Sequence, residues 1–232
     1  MSLLTATPLV ASAAGTAILA VYLRHHGSRM VWMRLILASL LAISEAMLLL
    51  WPAFTGVWSP ASALPFQLSD ASTFLAIAAL LWPRLSTGRE IAYFWSVSAG
   101  VLSLAFPAID ATSPSALYFA FYVDHGTLLA AGVVLVMVAP TRIRLAAAIR
   151  AWAATSLVAI VAALANLITG GDYMFLRHPP VTWSPLLLMG AWPWYVLTAW
   201  ALTPIVFLLL VIAVRPPRSG FSRPRDRAGL GW

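Results

Sequence analysis

Long apolar stretches separated by short polar segments dominate the hydrophobicity pattern of this chain. A helix that crosses the hydrocarbon core of a bilayer needs about 20 largely apolar residues. Stretches of this kind recur seven times, and they predict an all-α bundle of seven transmembrane helices. The predicted spans cover residues 3–23, 33–54, 65–82, 91–107, 117–138, 150–168 and 194–214.

The composition supports a membrane protein and excludes a water-soluble domain. Of 232 residues, 62% are hydrophobic and only 9% are charged, and the mean hydropathy is +0.90. A soluble core cannot bury that much apolar surface. We therefore predict a multi-pass protein of the cell membrane, with one transmembrane domain over 1–214. The basic tail, 215–232, combines proline, glycine, serine and arginine, a composition typical of a disordered cytoplasmic segment.

Arginine placement predicts the orientation, because cytoplasmic loops collect positive charge. Arginines follow the first, third, fifth and seventh spans, whereas only Arg177 lies in a loop on the opposite side. This bias predicts an external N-terminus and a cytoplasmic C-terminus. The net charge of +7 is thus explained by topology and gives no sign of nucleic-acid binding. The tail can contact anionic lipids by the same electrostatics.

Cofactor chemistry finds little support in the residue types present. The chain has no cysteine and four histidines, and only His125 falls inside a predicted span. A haem held by histidines from two membrane helices is therefore excluded, and no set of side chains has metal-ligand spacing. We expect neither a metal nor a cofactor.

Ionisable residues inside predicted spans are the candidates for function, because charge at bilayer depth is costly and usually functional. They are Glu45, Asp70, Asp124 and His125. At about 1.5 Å of rise per residue, Glu45 lies about 13 Å below the outer end of its span. By the same measure Asp70 lies about 8 Å and His125 about 12 Å from the outer ends of theirs. Three helices thus bring polar groups to one level in the outer half of the bundle.

Helical geometry indicates which of these side chains face the same way. At about 100° per residue, Gln67, Ser69, Asp70 and Thr73 share one polar face of the third span. On the fifth span the aromatic side chains at i−7, i−4 and i−3 share the side of His125, namely Tyr118, Phe121 and Tyr122. Asp124 is turned about 100° away from His125. We therefore expect Asp124 not to serve His125, whose partner should come from another helix.

Two functions fit this polar cluster. Ser69 and His125 on adjacent helices are the minimum parts of a base-activated nucleophile, with Asp70 or Glu45 available to fix the imidazole tautomer. The alternative is a non-enzymatic lipid-binding protein or a proton-coupled transporter that uses Glu45, Asp70 and His125. Each polar group taken alone could also simply join helices by hydrogen bonds.

The last outer segment is rich in aromatic residues and proline, and it makes the sequence recognisable. It reads "AALANLITGGDYMFLRHPPVTWSPLLLMGAWPWY" over 162–195. With "SEA" at 44–46, "LPFQLSDAS" at 64–72, "YFW" at 93–95 and "HG" at 125–126, it resembles the YwaF family of bacterial integral membrane proteins. That family is similar to eukaryotic transmembrane protein 164, a lipid acyltransferase. The resemblance covers nearly the whole chain.

The resemblance implies a seven-helix bundle that moves acyl groups between membrane lipids, by a nucleophile on the third helix and a histidine on the fifth. His125 matches the histidine of the family, and Glu45 and Gln67 match polar positions that line its cavity. Ser69 stands where the acyltransferase pattern has a cysteine, so this chain is either a serine version, closer to an esterase, or only a lipid-binding cavity. We expect lipid to be bound by Tyr118, Tyr122, Asp172, Tyr173, Arg177, Trp192 and Trp194.

Overall fold

The computed structural model describes residues 3–109, 115–137 and 143–214. Within these ranges the chain is helical and forms no strand, and an α-helix lies at each of the seven predicted positions. The helix ends differ from the predicted ones by a few residues. The helices are α1 Leu3–His25, α2 Met30–Phe54, α3 Leu68–Leu81, α4 Ser86–Ala105, α5 Ala116–Met137, α6 Leu145–Thr169 and α7 Trp194–Ala213.

Five of these helices, α1, α2, α5, α6 and α7, are long and apolar enough to cross a membrane. The chain is therefore a multi-pass membrane protein. The helix α3 has 14 residues, and at 1.5 Å per residue it rises only about 21 Å, against about 30 Å for a hydrocarbon core. The helix α4 is longer but more polar. Crossing by all seven helices remains a prediction.

Protein side chains satisfy the polar groups at both ends of the short helix α3. At its start Gln67 and Asp70 form a capping box, each side chain accepting from the backbone of the other. At its other end the guanidinium of Arg34, from α2, donates to the carbonyl oxygens of Leu80 and Leu81. Backbone groups cannot remain unpaired in hydrocarbon, so these contacts allow a short helix to end inside the bundle.

The helix α5 forms the centre of the bundle, where it packs against α1, α2, α3 and α4. Small residues let α4 and α5 approach closely. A Cβ on Gly100 would lie 3.0 Å from the carbonyl oxygen of His125, and one on Gly132 would lie 2.8 Å from a methyl of Val97. Side chains at these two positions would push α4 and α5 apart. The glycines therefore fix the position of the α5 backbone that carries Asp124 and His125.

The helices α6 and α7 pack on α4, away from α1 and α2. Aromatic side chains join them by hydrogen bonds as well as by packing. The Tyr93 hydroxyl donates to the Leu210 carbonyl at 3.0 Å, and the Trp95 indole donates to the Thr155 hydroxyl at 2.8 Å. These contacts hold α6 and α7 against α4, and α6 also contacts α3.

Two irregular segments, 55–67 and 170–193, meet at one end of the bundle, and we call them the cap. The Tyr173 side chain is 1% exposed, and its hydroxyl joins the two segments. It donates to the Pro60 carbonyl at 2.7 Å and accepts from the Leu64 backbone at 3.0 Å. The cap carries two short 3₁₀ turns, Tyr173–Phe175 and Pro185–Leu188. It therefore forms one packed layer over the starts of α3 and α7.

The orientation of the bundle in the membrane stays a prediction from the arginines. Arg142 and the tail, 215–232, lie outside the described residues. A reporter fused after Trp232 should be cytoplasmic, and a reporter inserted beside Asp172 in the cap should be external, because positive loops stay inside. Accessibility of single introduced cysteines to a membrane-impermeant thiol reagent in intact cells measures this, since the chain has no cysteine. If both positions report one side, the seven-span topology is wrong.

Candidate functional site

Asp124 lies at the centre of the polar groups inside the bundle, and its side chain links three helices. It is completely buried. Its Oδ1 accepts from the hydroxyl of Ser44, on α2, at 2.8 Å, and its Oδ2 accepts from the hydroxyl of Thr73, on α3, at 3.4 Å. A buried carboxylate requires such donors, since desolvation is otherwise costly. Sequence analysis had given Asp124 no partner on another helix.

The imidazole of His125 lies next to the same carboxylate. Its Nδ1 is 3.7 Å from Asp124 Oδ2 and 2.9 Å from the carbonyl oxygen of Phe121. The two groups therefore lie closer than the sequence predicted, although no hydrogen bond joins them, and the hydrogen-bond partner of Nδ1 among the described residues comes from the same helix. The 100° between successive residues separates the Cβ directions, but helical side chains bend back toward the preceding turn. Both functional groups consequently reach the same region.

The hydrogen bond to Phe121 fixes which imidazole nitrogen carries the proton. A carbonyl oxygen only accepts, so Nδ1 is the donor, and in a neutral ring Nε2 then has the free lone pair. The imidazole also packs on the Phe121 ring, with centroids 4.3 Å apart. This confirms the predicted common side of Phe121 and His125. Tyr118 and Tyr122 form a second ring pair, at 4.6 Å, nearer the start of α5.

Ser69 lies in the first turn of α3 and is half-buried. Its hydroxyl is 3.5 Å from Asp70 Oδ1, a long hydrogen bond that leaves the oxygen weakly engaged. Thr73 follows one turn later on the same face, and it is Thr73 that contacts Asp124. Within the described part of the chain no hydrogen bond joins Ser69 to His125. The structure places the two residues on helices that pack together.

Glu45 is 4% exposed, and its Oε1 has no hydrogen-bond partner among the described residues. It lies next to Ser44, which binds Asp124. Asp124 accepts from that neighbour, and it also accepts from Thr73 on α3, the helix that carries Asp70. Acidic side chains from α2, α3 and α5 thus share one region, as their predicted depths indicated.

Gln67 and Asp70 are both engaged at the junction between α3 and the cap. The Gln67 backbone donates to Asp70 Oδ2 at 2.8 Å, which completes the capping box of α3. The Gln67 side-chain oxygen also accepts from the backbone of Met174, in the cap, at 2.8 Å. These two residues, predicted to support the site, therefore hold the first turn of α3, with Ser69, against the cap.

The predicted lipid-binding residues in the cap and at the start of α7 divide into buried and exposed groups. Trp192 and Trp194 are 64% and 65% exposed, as expected for side chains that meet lipid. Tyr173 is buried, and Asn166 binds its backbone in both directions, at 2.7 and 3.0 Å. Tyr173 therefore holds the cap together rather than presenting its ring to lipid. No sequence pattern pointed to Asn166.

Asp172 and Arg177 organise the turn that leaves α6. The Asp172 carboxylate accepts from the backbone of Arg177 at 2.8 Å and of His178 at 2.9 Å. The Arg177 guanidinium donates to the carbonyls of Gly170 and Gly171, at 3.2 and 3.3 Å. Both residues thus have local structural partners. Their contact with a lipid head group stays a prediction.

Ser44 and Thr73, the hydroxyl donors of the central carboxylate, were not predicted from the sequence. Their depth along the helices is the signal that could have identified them. Ser44 precedes Glu45 on α2, and Thr73 lies on the polar face already identified on α3. Hydroxyls at the level of a buried acid are its natural partners in a membrane bundle.

Comparison with known proteins supports the resemblance drawn from the motifs. Neither a curated protein nor a solved structure is significantly similar to this chain. The model of the TMEM164 family, in contrast, matches residues 1–212, which include every helix but the last residue of α7. The match covers all of the polar residues described above and is consistent with a role in membrane lipids. The chain belongs to the TMEM164 family.

Proposed function

We propose that this protein is an acyltransferase or lipid esterase of the cell membrane, with Ser69 as nucleophile and His125 as general base. One observation carries the proposal. Asp124 Oδ2 lies both beside Nδ1 of His125 and beside the hydroxyl of Thr73. The carboxylate oxygen nearest the imidazole is thus also the one in contact with α3, the helix that carries Ser69, and this shared contact supports the pairing.

The level of the two groups along the bundle also supports the proposal. The helices α3 and α5 both begin at the cap end. Ser69 lies one turn before Thr73, about 5.4 Å nearer the cap. The imidazole lies on Phe121, one turn before His125, and it is displaced from its own backbone in the same direction. Both displacements bring the hydroxyl and the imidazole toward a common level, below the cap.

The chemistry would proceed by covalent catalysis. As the Ser69 oxygen attacks the carbonyl carbon of a lipid ester, Nε2 of His125 takes the hydroxyl proton. Collapse of the tetrahedral intermediate breaks the ester bond, and the imidazolium returns that proton to the departing alcohol. A second alcohol, or water, then attacks the acyl-serine with the same base. The Phe121 carbonyl would hold the Nδ1–H tautomer, and Asp124, 3.7 Å from Nδ1, would stabilise the imidazolium electrostatically, as an aspartate does in serine hydrolases.

Ser69 stands where the acyltransferase pattern has a cysteine, so catalysis here would depend more strongly on the general base. A thiol is a few per cent ionised at neutral pH and strongly nucleophilic, whereas a serine hydroxyl depends on its base. A buried Asp124 beside His125 is the kind of support that a serine version needs. The position of the carboxylate is therefore an argument for retained chemistry in this chain.

A fluorophosphonate probe tests the proposal directly, because it forms a stable bond only with an activated serine. The purified protein in phospholipid nanodiscs is expected to be labelled at Ser69, as mapped by peptide mass spectrometry. Labelling should be lost in Ser69→Ala and reduced at least about a hundredfold in His125→Ala, since the base is gone. Ser72→Ala, on the same helix, is the matched control and should label normally. An unlabelled wild-type protein that binds lipid would refute an activated Ser69.

One observation favours a second function, that of a proton-coupled transporter or a lipid-binding protein. Glu45 is buried with one carboxyl oxygen unpartnered, near two further acids. Carboxyl groups arranged in this way across helices are typical of proton pathways. On this reading Glu45→Gln would abolish transport, whereas the probe would label no serine.

A further inference from the structure

A groove lies at the outer end of α6, beside the cap and away from the Asp124 cluster. Its floor contains Ala163, Asn166, Leu167 and Gly170, residues spaced i, i+3, i+4 and i+7. That spacing defines a single face of the helix, about 10 Å long over its last two turns. Its rim comes from the cap, with Arg177 and Trp192. The cavity has a volume of about 480 Å³.

The floor of the groove is chemically apolar although it contains an asparagine. Asn166 is only 3% exposed, and both polar atoms of its amide are directed at the backbone of Tyr173, so the amide contributes little to the open surface of the groove. Leu167 next to it is 82% exposed. An exposed leucine on the face of a membrane helix contacts acyl chains. The floor therefore suits a hydrocarbon chain that runs along α6.

The rim supplies the only arginine of the cap. The Arg177 guanidinium is exposed, and only its Nη1 is bonded, to the two carbonyls at the end of α6. No carboxylate of the described residues lies within ion-pair distance of it. Its Nε and Nη2 therefore keep free donors for an anion, and a guanidinium matches a phosphate with two parallel hydrogen bonds.

Trp192 completes the rim. Its indole nitrogen donates to the Leu176 carbonyl at 3.0 Å, which fixes the ring beside Arg177 while 64% of the residue stays exposed. Tryptophan favours the level where head groups meet acyl chains. The fixed indole and the neighbouring guanidinium, which has no ion-pair partner among the described residues, therefore place the rim at the boundary between head groups and acyl chains.

We infer that this groove binds a glycerophospholipid, with its phosphate on Arg177 and one acyl chain along the floor formed by α6. The inference names a substrate class for the proposed function and rests on it only for what happens to the lipid afterwards. The hydrogen bonds from Met174 to Gln67 and from the Gln67 backbone to Asp70 connect the cap beside the groove to the first turn of α3. The cap segment that carries Arg177 is thus hydrogen-bonded to the residue that starts α3, two positions before Ser69.

Lipid binding is measured without turnover, by native mass spectrometry of detergent-purified protein titrated with phosphatidylglycerol or with diacylglycerol of the same chains. Arg177→Gln should weaken phosphatidylglycerol binding at least about tenfold, since charge-assisted hydrogen bonds are lost, and leave diacylglycerol binding unchanged. Ala163→Phe, which fills the floor, should weaken both lipids. Arg144→Gln, which removes an equal charge at the opposite end of α6, is the control.

Further variants and a competition with inorganic phosphate distinguish phospholipid binding from misfolding and from binding of a free anion. Arg177→Lys keeps the charge and should retain part of the binding, and unchanged thermal unfolding of each variant confirms its fold. Inorganic phosphate should compete only weakly; if it displaces phosphatidylglycerol at equal concentration, the site is one for a free anion and the inference is wrong. Equal phosphatidylglycerol binding by wild type and Arg177→Gln also overturns it. Ser69→Ala should bind lipid normally, so failure of catalysis and failure of this site are distinguishable.

Discussion

Alanine at Ser69 or at His125 is expected to reduce lipid turnover by the purified protein to background. Loss of the base should cost about 10²- to 10⁴-fold, and loss of the nucleophile should cost at least as much, because the two residues act as one unit. Transfer or release of a fluorescent acyl chain from phospholipid in proteoliposomes measures both. Ser69→Cys should keep or raise activity, because a thiolate needs less help from the base.

Two controls make this result specific. Ser72→Ala removes a neighbouring hydroxyl that only binds the Leu68 carbonyl of its own helix, and it should leave turnover unchanged. Thermal unfolding identifies variants that have lost their fold, since His125 is buried. If a folded Ser69→Ala protein keeps its turnover, Ser69 is not the nucleophile.

Substitution of Asp124 is expected to affect stability and turnover by different mechanisms. Asp124→Ala leaves the buried Thr73 hydroxyl without its acceptor, whereas Ser44 still donates to the Leu40 carbonyl at 2.8 Å. The unsatisfied hydroxyl should lower the free energy of unfolding by about 1–3 kcal/mol. Asp124→Asn keeps the size and one acceptor oxygen, so it should fold nearly as well. It should still lower turnover at least about tenfold, because an amide cannot stabilise the imidazolium as a carboxylate does.

Ser44→Ala is the matched control for the stability effect, since it removes one of the hydrogen bonds of Asp124 and leaves Thr73 and His125 in place. Its cost should stay near the average of about 0.6 kcal/mol for a hydrogen bond between membrane helices. Unfolding in detergent, followed by circular dichroism, compares the three proteins. Wild-type turnover in Asp124→Asn would leave Asp124 a purely structural role, as the sequence first suggested.

The seven helices were predictable because apolar length is a strong signal that needs no tertiary information. The short α3 is the instructive case. Hydropathy extended the predicted span to 65–82, whereas the helix begins at Leu68 and ends at Leu81. The capping box of Gln67 and Asp70 determines the start. This box is legible in the sequence, but the hydropathy pattern alone does not reveal it.

The sequence predicted the depth of the polar residues along their helices but not which side chains approach one another. Rise per residue brought polar groups of α2, α3 and α5 to one depth, and the hydrogen bonds from Ser44 and Thr73 to Asp124 join these three helices. A helical wheel gives the direction of each Cβ but not the reach of a long side chain. It therefore separated Asp124 from His125, although Oδ2 and Nδ1 lie 3.7 Å apart.

The cap lay beyond sequence reasoning for a different physical reason. Its contacts join irregular backbone segments more than a hundred residues apart, such as Tyr173 with Pro60. Its turn also places Met174 and Phe175 at φ of 58° and 52°, a left-handed backbone conformation that residues other than glycine rarely adopt. No periodicity encodes such contacts.

The short length of α3 affects where a lipid must go to reach Ser69. A helix about 9 Å shorter than the hydrocarbon thickness creates a hydrophobic mismatch, which neighbouring lipids relieve by thinning the leaflet or by admitting water. Here the cap packs over the start of α3, so protein rather than hydrocarbon covers the missing length. An ester carbonyl normally resides just below the head group. Under the proposed function, a carbonyl at that depth would meet Ser69 in the first turn of α3 while the phosphate stays hydrated, which avoids the free-energy cost of drawing a charged head group into the core.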